Sequence, residues 1–128
     1  MTAAETLVVI GGAFNLLFAL FHLLFWRIFG WKTDLTKLSF VNRAIMQILN
    51  LCLTFAFVIF AYISFAHPRE LLATGLGHSL LMLIAGFWFL RAIEQVVFFR
   101  LRHWASWAFL GAFLGGATLY ASAHLIGP

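Results

Sequence analysis

The chain has 128 residues, of which 64% are hydrophobic and only 9% charged, with a formal net charge of +4 and a single cysteine, Cys52. A soluble domain carries about 25% charged residues, so this composition excludes a water-soluble globular domain; its aromatic, apolar character excludes a disordered chain. One cysteine excludes an intrachain disulfide framework and a thiolate metal cluster, which leaves an integral membrane protein.

Charged residues divide the chain into four apolar runs: Glu5 to Arg27, Arg43 to Arg69, Glu70 to Arg91, and Arg102 to the end. A helix that crosses the hydrocarbon core needs about 20 apolar residues, so the runs predict an all-α, four-helix membrane bundle with spans at 6–26, 44–66, 71–99 and 104–125. Helices are required because backbone facing lipid must satisfy its own hydrogen bonds. Runs such as Leu80-Leu81-Met82-Leu83-Ile84 lack the alternation of a barrel strand. Short connections make successive helices antiparallel, in an up-down bundle forming one membrane domain.

The first span holds Gly11-Gly12, expected to seat large neighbours, together with Asn15 and His22. No positive charge precedes it, so it reads as a retained span rather than a cleaved signal. The second opens with Arg43, Gln47, Asn50 and Thr54, whose spacing of four, three and four puts them on one helix face. Pro68 marks the turn into the third span, where its missing N–H is tolerated in a first helical turn. That span carries His78, Arg91, Glu94 and Gln95, together with Gly86, expected like Gly11-Gly12 to seat a large neighbour. The fourth carries His124 and a small-residue stripe, Ala108, Gly111, Ala112 and Gly115, of the kind that lets helix backbones approach closely. Packing inside the monomer is the expected use of the stripe; a second copy or a larger membrane complex is the alternative.

Arg27, Lys32, Lys37, Arg43, Arg91, Arg100 and Arg102 fall at one end of the predicted bundle, and only Arg69 at the other. The positive-inside rule then places both termini outside, with a bacterial inner membrane as the expected location. This asymmetry explains the net charge without nucleic acid, and membrane lipid is the expected surrounding partner. Trp26, Trp31 and Trp104 are expected at headgroup level.

Polar side chains within spans are costly and ask for a reason. They form two layers. Toward the basic end lie Asn15, His22, Arg43, Gln47, Asn50, Arg91, Glu94 and Gln95, read as a buried polar cluster that binds or transports a small polar or anionic solute or a lipid headgroup. Glu94 is expected to pair with Arg43 or Arg91. The alternative is an accessory subunit whose polar layer only locks its helices. Toward the other end, His78 and His124 lie at similar depth, and a metal or haem held by them is a weaker third reading; no cofactor is the expectation. No nucleophile elbow, phosphate loop or zinc-protease motif is present, so an enzyme is not expected and no catalytic residue is assigned.

Overall fold

The computed structural model describes residues 1–127, and among them every regular element is helical. Thr2 caps helix α1 (Ala3–Leu23), its hydroxyl accepting from the Glu5 N–H at 3.1 Å. Two short helices follow, α2 (Phe25–Ile28) and α3 (Trp31–Asp34), joined through Gly30 at φ +62°, a left-handed corner that glycine takes without strain. A 3₁₀ turn over Leu35–Lys37 leads to Ser39, which caps α4 (Phe40–Ala66). Pro68 opens a separate one-and-a-half-turn helix, α5 (Pro68–Ala73), rather than the third span itself. There the Glu70 carboxyl is held below its ordinary range by its own N–H at the helix start and then by His67. Thr74 caps α6 (Gly75–Glu94), which continues as a π-helical turn over Gln95–Phe99. His103 caps α7 (Trp104–Ile126).

Four of these segments are long and apolar enough to cross a membrane: Ala3–Leu23, Phe40–Ala66, Gly75–Phe99 and Trp104–Ile126. They form an up-down bundle. One end, the terminal end, carries the chain termini and α5; the other, the loop end, carries residues 24–39 and 100–103. α1 packs against α4 and α7, and α6 against α7. Along the fourth seam the α4 and α6 backbones stay apart, bridged by large aromatics: Phe57 stacks on Trp88 (5.1 Å, 16°) and Phe60 meets Phe87 at 5.5 Å.

Glycines set the close approaches. A side chain at Gly11 would strike the Tyr120 ring, one at Gly12 the Phe65 ring, and one at Gly116 the Phe14 ring. Gly86 does not seat a neighbour as expected; the space beside it is open. The expected internal use of the α7 stripe is also corrected. Gly111 and Gly115 have nothing within 4 Å of a built Cβ, and with Ala108 they face outward. The reason is rotational: Phe113, Gly116, Ala117 and Tyr120 occupy the inward face of α7. Trp26 and Trp104 are exposed, but Trp31 is buried beneath the loop end, its ring 5.5 Å from Phe25.

Candidate functional site

The polar residues of the spans separate into three groups. The first is a closed hydrogen-bond chain through the middle of the bundle. Trp88 Nε1 donates to Asn15 Oδ1 (3.2 Å), and Asn15 Nδ2 donates to the Gly11 carbonyl (2.9 Å) and to the Tyr120 hydroxyl (2.8 Å). Ser64 Oγ donates to the Phe60 carbonyl (2.7 Å), so the 2.7 Å contact between Tyr120 and Ser64 runs from the tyrosine hydroxyl to the serine oxygen. Every donor in the chain has an acceptor, and α6, α1, α7 and α4 each contribute one side chain. Asn15 therefore belongs to a four-helix clasp and not to the cluster with His22. Ser64, Trp88 and Tyr120 carry no spacing signal in the sequence and were not expected as its partners.

The second group is His78 and His124. The structure brings them together, Nδ1 to Nδ1 at 2.9 Å, both half-buried, tying the start of α6 to the end of α7. One ring donates and the other accepts. Among the described residues no third histidine, cysteine or carboxylate joins them.

The third group surrounds a cavity of about 690 Å³ in the α4–α6 seam at the loop end. Its inner walls are aromatic: Phe18, Phe57, Phe87, Trp88, Phe109 and Phe113. Trp88 lies between Phe57 and Phe113 with nearly parallel planes (16° and 18°), closing the inner end. Phe25, Phe29 and Trp31 cover one side of the mouth, and Phe99, Arg102, His103 and Ser106 the other. His22, Arg91 and Gln95 supply the polar groups between.

Each of these three is held differently. Asn50 Nδ2 donates to the His22 carbonyl (3.0 Å), which leaves Asn50 Oδ1 to accept from His22 Nδ1 (2.8 Å). The two hydrogen bonds hold the ring against Phe25 (4.2 Å, 29°) and leave Nε2 without a protein partner among the described residues. Gln95, where the π turn begins, is buried because it continues the inward stripe of α6, seven residues after Trp88 and three after Ala92, and its Nε2 donates to Ser106 Oγ (2.9 Å), which in turn donates to the Arg100 carbonyl. Such π turns recur at functional sites. Arg100 itself holds φ +61°, a strained conformation for a residue with a side chain.

Arg91 is half-buried, its guanidinium 4.4 Å over the Phe113 ring and 5.8 Å from Phe99. No ion pair or hydrogen bond among the described residues engages that guanidinium. The expected pairing of Glu94 with Arg43 or Arg91 is not made, because Arg91 turns onto the aromatic faces of the cavity. Arg43 lies beside Phe40 (6.0 Å) at the start of α4 instead. Gln47 does not line the cavity: its Nε2 donates to the Arg43 carbonyl of its own helix (3.2 Å). Asn50 and Thr54, the deeper half of the predicted α4 stripe, are buried as expected.

No known family, no curated protein and no solved structure matches the chain.

Proposed function

We propose that this is an integral membrane protein that binds an anionic group, a solute or a lipid headgroup, in the α4–α6 cavity, with Arg91 as its principal contact. The observation that carries the reading is a half-buried guanidinium facing a cavity with no carboxylate of the described residues within ion-pairing distance. A cation withdrawn from water is costly unless compensated, and an anionic ligand supplies that compensation. Arg102 at the mouth adds a second positive charge, against one carboxylate, Asp34. The aromatic stack at the inner end supports binding over passage. The concentration of Lys and Arg at the loop end supports a cytoplasmic placement for the mouth, with both termini outside, as in a bacterial inner membrane.

The test is a thermal-shift titration of purified protein with oxyanions from acetate and phosphate to phosphatidylglycerol. At least one is expected to raise the midpoint of wild type by mass action, and to do so much less in Arg91→Gln. Equal shifts in both proteins, or none in either, would sink the proposal.

A second reading, association with another copy or a partner chain, is favoured by one observation: the small residues Ala108, Gly111 and Gly115 face out of the bundle, with open space at both glycines. Ala112, half-buried beside them, would flank that contact.

A further inference from the structure

The polarity of the cavity is graded along the bundle axis. Its inner end is the parallel stack of Phe57, Trp88 and Phe113; Arg91 sits nearer the loop end, and Arg102 at the mouth. A free inorganic oxyanion is recognised by donors and charge alone and has no use for an aromatic chamber beneath the cation. The gradient runs in the same sense as a bilayer leaflet, with charge at the helix ends and hydrocarbon toward the middle. Along the α4–α6 seam the two spans are bridged by side chains, Phe57 on Trp88 and Phe60 on Phe87, instead of packed backbones, so the cavity lies between two spans rather than on the bundle axis alone. Its volume, about 690 Å³, lies within the roughly 300–1,000 Å³ of sites that enclose one drug-sized ligand, which suits a single chain and not a two-chain lipid.

We infer that the occupant is an anionic amphiphile, a carboxylate or phosphate head on one apolar chain, drawn sideways from the surrounding leaflet with its head at Arg91 and its chain against Phe57, Trp88 and Phe113. This rests on the reading of Arg91 as an anion contact and names the ligand class for it. The chain excludes water from the chamber and thereby strengthens the contact between head and guanidinium.

The experiment uses the full chain in nanodiscs of zwitterionic phosphatidylcholine, with 9,10-dibromostearate as the probe, since bromine quenches tryptophan on contact and Trp88 forms the chamber floor. A saturable component of quenching is expected above the non-saturating quenching of the exposed Trp26, Trp104 and Trp107, and it should persist in a Trp31→Phe variant, which leaves Trp88 and its bond to Asn15 intact. Oleate should displace the probe, whereas acetate and inorganic phosphate should fail at a hundredfold higher concentration. Arg91→Gln should weaken probe binding at least tenfold and Arg91→Lys less. Leu53→Phe, which narrows the chamber without touching the charge, should weaken oleate more than octanoate. If acetate or phosphate displaces the probe as well as oleate does, the amphiphile inference is overturned and the anion site survives. If probe binding is the same in wild type, Arg91→Gln and Leu53→Phe, both readings fall.

Discussion

Asn15 and Arg91 are both polar residues inside apolar spans, yet their surroundings are opposite. Asn15 is fully buried with both ends of its amide engaged, whereas the Arg91 guanidinium lies over the Phe113 ring and makes no hydrogen bond or ion pair among the described residues. Replacing Asn15 with leucine orphans the Trp88 N–H and removes the donor to Tyr120. An unsatisfied buried polar group costs about 1–3 kcal/mol, while interhelical hydrogen bonds in membranes average about 0.6 kcal/mol, so a loss of roughly 1–3 kcal/mol is expected. Arg91→Met instead removes a half-buried charge that no ion pair or hydrogen bond among the described residues compensates, keeps an apolar contact with Phe113, and is expected to match or exceed wild type in stability while losing ligand binding. Thermal aggregation midpoints of the two variants in one detergent check this. A fall in Arg91→Met as deep as that in Asn15→Leu would make Arg91 a structural residue. Stability sacrificed at a site for function is the general pattern.

Helix α7 presents a different chemistry on each of two faces. Gly116 faces inward, where an added side chain meets the Phe14 ring; Gly111 and Gly115 face outward into open space. Gly116→Leu is therefore expected to prevent folding or to lower the thermal midpoint, since overpacking costs about 1–3 kcal/mol even where neighbours can shift. Gly111→Leu should leave the monomer's stability unchanged. Its oligomeric state, measured by light scattering with detergent correction, separates the uses of the face: a dimer in wild type that dissociates in Gly111→Leu supports association, and a monomer in both removes that reading. At the loop end of the seam, the π turn over Gln95–Phe99 ends the third span and leads to the chain reversal at Arg100, so that Ser106 meets Gln95, which the regular spacing of Trp88, Ala92 and Gln95 already turns inward.

The whole molecule is an asymmetric object in charge as well as packing. Its loop end gathers nearly all the arginines and lysines, and its terminal end holds Arg69, which lies 3.7 Å from Glu5. Cysteines placed at Thr2 and at Thr33 in a Cys52→Ser background are expected to react with an impermeant thiol reagent from opposite faces of the membrane, Thr2 from outside. The Cys52→Ser change makes each introduced cysteine the single thiol; Cys52 itself lies midway along α4 on its outer side. Labelling of the Thr33 position from outside would invert the proposed orientation and place the cavity mouth in the outer leaflet. It would not alter the site itself, since the cavity depends on the α4–α6 seam and not on the direction of insertion.

The four spans were legible in the sequence because helix formation in an apolar medium is local: about 20 uncharged residues suffice, and each segment satisfies its own backbone. The observed helices accordingly start and stop within a few residues of the charged boundaries, apart from α5, which Thr74 separates from the third span. The gathering of His22, Arg91 and Gln95 at one depth was legible too, since depth follows from counting along a helix. Which polar groups meet was not. Asn15, seven residues before His22 on the same helix, parts from it and joins Ser64, Trp88 and Tyr120; Glu94 and Arg91, three apart on one helix, do not pair. Such contacts depend on the rotation and offset of each helix against its neighbours. Those are decided by shape, by where Gly11, Gly12 and Gly116 admit a ring and where Phe57 and Trp88 hold two helices apart, and no single segment contains that information.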